Sequence, residues 1–98
     1  MAITLNECKT KLGTYRNTHG AEMGINRIGI FGSVAREENT DSSDIDIVVD
    51  ISNPTYRLMA ELRSQLQSLF GCNVDLVRYR KSLRPLFRQN IDKEAVYV

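Results

Sequence analysis

Apolar residues first recur at helical spacing. Leu5, Cys8, Leu12 and Tyr15 fall on one stripe, and Thr4 with Glu7 fits a capping box, so residues 4–18 are expected to form a helix. His19 to Gly24, with two glycines, reads as a break. Ile25 to Phe31 is short and β-branched and reads as a strand ended by Gly32-Ser33. A short helix from Val34 to Glu38 is expected next, with Ser33 at its N-cap. Asn39 to Ser43 is a polar loop. Ile45 to Ile51 is a strongly apolar strand interrupted by Asp46 and Asp50.

Asn53 as cap and Pro54 at the first helical position then open a helix that runs to about Phe70. Its apolar face is Leu58, Met59, Leu62, Leu66, Leu69 and Phe70, and Gly71 stops it. Asn73 to Arg78 reads as a third strand. Ser82 is placed to cap a last helix that tolerates Pro85 in its first turn and buries Leu83, Leu86, Phe87 and Ile91. Strands alternate with helices, which predicts an α/β (α+β) fold, a small sheet covered by helices. The pattern leaves strand direction open.

Length narrows this to one domain over residues 1–98. No apolar run approaches the roughly 18 residues of a membrane span, and no signal peptide is visible at the start. Cys8 and Cys72 lack metal or redox spacing, and two buried or half-buried free thiols in a reducing cytoplasm are expected.

Charge changes the picture more. The net charge is +1, yet Glu37, Glu38, Asp41, Asp44, Asp46 and Asp50 crowd one segment, and Arg78, Arg80, Lys81, Arg84 and Arg88 crowd another. Near-neutrality and the lack of a stacking platform argue against nucleic acid as the main ligand. His19, in a Gly-flanked loop, reads as surface, and the four tyrosines as half-buried packing.

The acids carry the chemistry. On a strand, Asp44 and Asp46 point to one face while Ile45, Ile47 and Val49 take the other. Two carboxylates side by side repel unless a cation joins them, and a hard cation such as Mg²⁺ takes oxygen ligands while leaving room for phosphates. Asp75 interrupts an apolar strand, and if that strand lies beside the first, three acids converge. Asp75 could then accept a proton from an attacking hydroxyl. Gly32 and Ser33, opening a short helix, suit a phosphate, with Arg36 one turn on. Each residue alone has an ordinary alternative: Ser33 as N-cap, Asp44 as a loop-end acid, Asp75 on a water-facing edge, Arg36 as solvated surface.

Gly-Ile-Phe-Gly-Ser-Val-Ala-Arg followed by Ser-Asp-Ile-Asp-Ile-Val-Val resembles the signature of the polymerase-beta-like nucleotidyltransferase superfamily, and within it the minimal nucleotidyltransferase family. The resemblance covers mainly residues 25 to 77. It implies a mixed sheet with helices on one side, and Mg²⁺, two ions, held by Asp44, Asp46 and Asp75. It implies ATP as substrate with Gly32 and Ser33 at its triphosphate, beside which Arg36 would add its charge. Many members of the family are antitoxins paired with a HEPN-domain toxin, and some transfer AMP to a tyrosine of that toxin. One departure is visible: a glycine commonly follows the motif arginine, where this chain has Glu37. Two rival functions remain open, neutralisation of a partner by occlusion alone, and transfer to a small acceptor such as an aminoglycoside.

Overall fold

The computed structural model describes residues 2–98. Its order is α1 (Leu5–Met23), β1 (Ile25–Phe31), α2 (Gly32–Ala35), β2 (Ile45–Ile51), α3 (Tyr56–Phe70), β3 (Val74–Arg78), α4 (Pro85–Glu94) and β4 (Val96–Tyr97). The strands form one mixed sheet in the order β3-β2-β1-β4. β1 is antiparallel to β2 and to β4, whereas β2 and β3 run parallel. The parallel pair follows from α3, a crossover long enough to return the chain to the same end of the sheet.

Burial follows the alternation along the strands. Ile28, Ile30, Ile45, Ile47 and Val49 enter the larger core with Cys8, Leu12 and Tyr15 of α1 and Leu62 and Leu66 of α3. Phe31 and Val48 point the other way and meet Leu83 and Ile91 of the α4 region. Helices therefore lie on both faces. The one-sided layer implied by the resemblance holds for α1 and α3, and α4 sits opposite.

Several local expectations need correction. Thr4 does cap α1, accepting from the Glu7 amide at 3.0 Å. The helix does not break at His19, however, but continues to Met23 and ends on Gly24 at φ 71°. Packing outweighs the helix cost of Gly20, because Met23 is buried and its sulfur takes the Tyr15 hydroxyl at 3.1 Å. Thr55, not Asn53, caps α3, accepting from the Leu58 amide at 3.1 Å. Ser82 caps nothing: α4 starts at Pro85 after Arg84. Of its proposed stripe, Leu83 and Ile91 are buried, but Leu86 is 76% and Phe87 38% exposed.

Ser33 is no N-cap either, since α2 begins at Gly32 and has no side-chain cap bond. Cys72 is exposed, while burial pushes the Cys8 thiol up to about 12 and leaves it unreactive. Tyr56 is 92% exposed rather than half-buried. His19 is half-buried, its ring tilted against Tyr15 at 4.9 Å between centroids. Among the described residues, no helix is long and apolar enough to cross a membrane.

Candidate active site

The parallel register of β2 and β3 sets Asp46 directly beside Asp75. Both belong to the sheet face that carries Val48 and α4, because Ile45 and Ile47 take the opposite side. Asp46 is half-buried, whereas Asp75 is exposed on the edge strand β3. The water-facing edge and the convergence with Asp46 are thus both true of Asp75. Asp44 stands exposed just before β2.

Burial raises the Asp46 pKa most, followed by the charge of Asp75, then that of Asp44, and a hydrogen bond with Asp75. Arg36 opposes this only weakly. Asp46 is thus a carboxylate short of positive charge. Among the described residues, no three acid, histidine or cysteine side chains converge closely enough to form a ready-made metal cage. That fits Mg²⁺ rather than excluding it. This ion usually takes only one or two carboxylates and fills its octahedron with water and substrate phosphates. The donor set is all oxygen, and the Asp46–Asp75 pair is already together.

Gly32 closes over this pair. Its φ is 71°, and a Cβ placed on it would collide with the Asp46 carboxylate. The glycine is therefore required twice, by the backbone conformation and by the acid beneath it. Its amide is already engaged, donating to Glu94 Oε1 at 3.1 Å. The Ser33 hydroxyl, half-buried on α2, makes no hydrogen bond among the described residues. Arg36 Nη1 donates to both oxygens of Glu94, at 3.3 and 3.2 Å, and Nε to Glu38 at 3.3 Å. Glu37 adopts φ 58°, so the left-handed conformation that a glycine would take freely is kept here by a side chain that resists it.

Other predicted groups fall outside. Asp50 shares the face of Asp46 but lies at the far end of β2, 3.7 Å from Arg27. That guanidinium stacks on the Tyr97 and Tyr79 rings at 4.7 and 5.3 Å. In the basic segment, Arg80 and Arg88 donate to the carbonyls of Arg78 and Lys81 at 3.1 and 2.9 Å. None of the five bases there forms an ion pair among the described residues. A recess lined by Ile3, Val34, Asn39 and Phe70 includes none of the three acids; Asp44 and Asp75 are exposed and Asp46 is half-buried. Glu94 is the site residue that sequence reasoning missed. Its sequence trace is Gly29, whose missing side chain admits β4 beside β1.

Fold and site together define a nucleotidyltransferase. The chain belongs to the polymerase beta nucleotidyltransferase family, whose model matches residues 15–98. It is 35% identical to the protein adenylyltransferase MntA of Thermococcus cleftensis, over 98% of this chain and 97% of that one. It is 34% identical to the candidate protein adenylyltransferase MJ1217 of Methanocaldococcus jannaschii, over 97% and 98% of the two chains. A solved structure of a candidate minimal nucleotidyltransferase superposes with a TM-score of 0.80 at 30% identity, covering 96% of this chain and 95% of that one. A toxin–antitoxin structure with AMP-PNP has the same fold, with a TM-score of 0.74 at 23% identity, covering 91% and 70%.

Proposed function

We propose that this enzyme transfers AMP from ATP to a tyrosine hydroxyl of a partner HEPN-type toxin and so acts as its antitoxin. The observation that carries the reading is Asp46 abreast of Asp75 directly beneath Gly32. Relatives named as protein adenylyltransferases support it. So does a solved complex described as a tri-AMPylated Shewanella oneidensis HEPN toxin with an MNT antitoxin, of the same fold. The exposure of Asp44 and Asp75 suits a macromolecular acceptor better than a small enclosed one. Two free cysteines, one exposed, suit a reducing cytoplasm.

Asp46 and Asp75, with Asp44 just before β2, would hold Mg²⁺, in two ions. When bound, Mg²⁺ neutralises triphosphate charge and makes a hydroxyl more acidic. The Ser33 hydroxyl and Arg36 bind phosphate oxygens. Gly32 contributes the absence of a side chain more than its amide, which Glu94 already holds. The tyrosine oxygen attacks the α-phosphorus, the bond from that phosphorus to the bridging oxygen breaks, and pyrophosphate leaves. Asp75, exposed beside Asp46, would take the phenolic proton. Binding and charge stabilisation account for most of the catalysis.

The test uses ATP labelled at the α-phosphate, Mg²⁺ and the product of the neighbouring gene. Label on the partner supports the reading. Neutralisation of the partner without label, undiminished in Asp44→Ala/Asp46→Ala, would establish occlusion instead.

A further inference from the structure

β4 follows α4 directly and ties the end of that helix, where Glu94 lies, to β1. β4 pairs with β1 through Gly29↔Tyr97 and Ile30↔Val96. The pairing is possible because position 29 has no side chain: a Cβ there would stand 2.7 Å from the Val96 carbonyl oxygen. Glu94 ends α4, and its Oε1 takes both the Gly32 amide at 3.1 Å and Arg36 Nη1 at 3.3 Å. With Glu38 on Nε, the Arg36 guanidinium is held along two edges. Neither acid uses Nη2.

We propose that Glu94 is a positioning residue for nucleotide binding: it fixes Arg36 and the Gly32 turn so that Nη2 and the Ser33 hydroxyl meet the triphosphate together. The proposal rests on the nucleotidyltransferase reading. An arginine ordered before binding loses less freedom when the phosphate arrives, so affinity rises while chemistry at the α-phosphorus is untouched. Glu94 touches neither substrate nor metal in this role.

The experiment measures Mg-ATP affinity by calorimetry and transfer kinetics for the unmodified protein, Glu94→Gln, Arg36→Ala and the double variant. Glu94→Gln keeps the size and one acceptor but loses the charge that orders the guanidinium. Its Kd and KM for Mg-ATP are expected to rise about five- to tenfold with kcat within about twofold. In the Arg36→Ala background the same substitution is expected to add nothing, and with Arg36 present Glu94→Asp is expected to lose less affinity than Glu94→Gln. Tighter Mg-ATP binding in Glu94→Gln overturns the proposal, because Glu94 would then occupy the phosphate's own place. Equal effects in both backgrounds, or unchanged affinity, overturn it too and leave the nucleotidyltransferase reading intact. If the unmodified protein binds no Mg-nucleotide, that reading and this proposal fail together.

Discussion

Gly32 lies over the Asp46 carboxylate so closely that the smallest side chain would displace it. The positive φ of Gly32 brings α2 down onto β2, and the same contact leaves Asp46 half-buried beside Asp75. Gly32→Ala therefore carries two costs, about 1–2 kcal/mol for a left-handed non-glycine residue and a shifted acid. The expected result is a lower melting temperature, with AMP transfer down by about a hundredfold from the displaced geometry. Thermal unfolding and transfer assays on the one variant check both.

The raised pKa of Asp46 makes a prediction about stability against pH. Its folded value lies above the ordinary 3.8, so the proton favours the native state in the window between them. As pH rises through the folded value, ionisation next to Asp75 and Asp44 removes that stabilisation. Asp46→Asn should therefore melt above the unmodified protein at pH 7 without metal, and the difference should vanish below pH 3.8. Mg-ATP should reverse the order at pH 7. Ligand at a hundred times its Kd stabilises by about 2.7 kcal/mol, and the variant forgoes most of this. An unmodified protein more stable than the variant at pH 7 without metal contradicts the charge account.

Glu37 holds φ 58° without a glycine's freedom. Glu37→Gly is expected to stabilise by up to about 1 kcal/mol, roughly 4–8 °C in melting temperature for a domain of this size. It relieves the strained turn between α2 and the loop before β2. A fall in melting temperature would show the glutamate side chain to have a compensating role.

The two sides of α4 separate by mutation. Ile91 is fully buried, so Ile91→Ala should cost about 2–5 kcal/mol. Leu86→Ser, at a site 76% exposed, should stay within about 0.5 kcal/mol. Denaturant unfolding of the pair distinguishes them.

Most of the elements, and the sheet face that Asp46 takes, were legible because they rest on local signals. The alternation through Ile45–Ile51 shows which side Asp46 takes, and the break in the apolar run of β3 marks Asp75. What escaped depends on distant partners. Gly20 looks like a helix end until Met23 is seen against Tyr15. The α4 stripe failed at Leu86 and Phe87 because helical spacing shows that a face is apolar, not that a layer exists to cover all of it. β4 is two residues long and holds only by pairing with β1, so no periodicity announces it. Glu94 was hidden for the same reason: nothing near it in sequence tells that it meets Gly32, 62 residues earlier.

Intact-mass measurement of the proposed HEPN-type partner, after incubation with this enzyme, ATP and Mg²⁺, tests the central claim most directly. The unmodified protein should add AMP to the toxin, and so should Asp50→Asn, whose carboxylate pairs with Arg27 at the far end of the same strand face. Asp46→Asn and Asp75→Asn should add none. AMP transfer that survives both Asp46→Asn and Asp75→Asn would contradict the account.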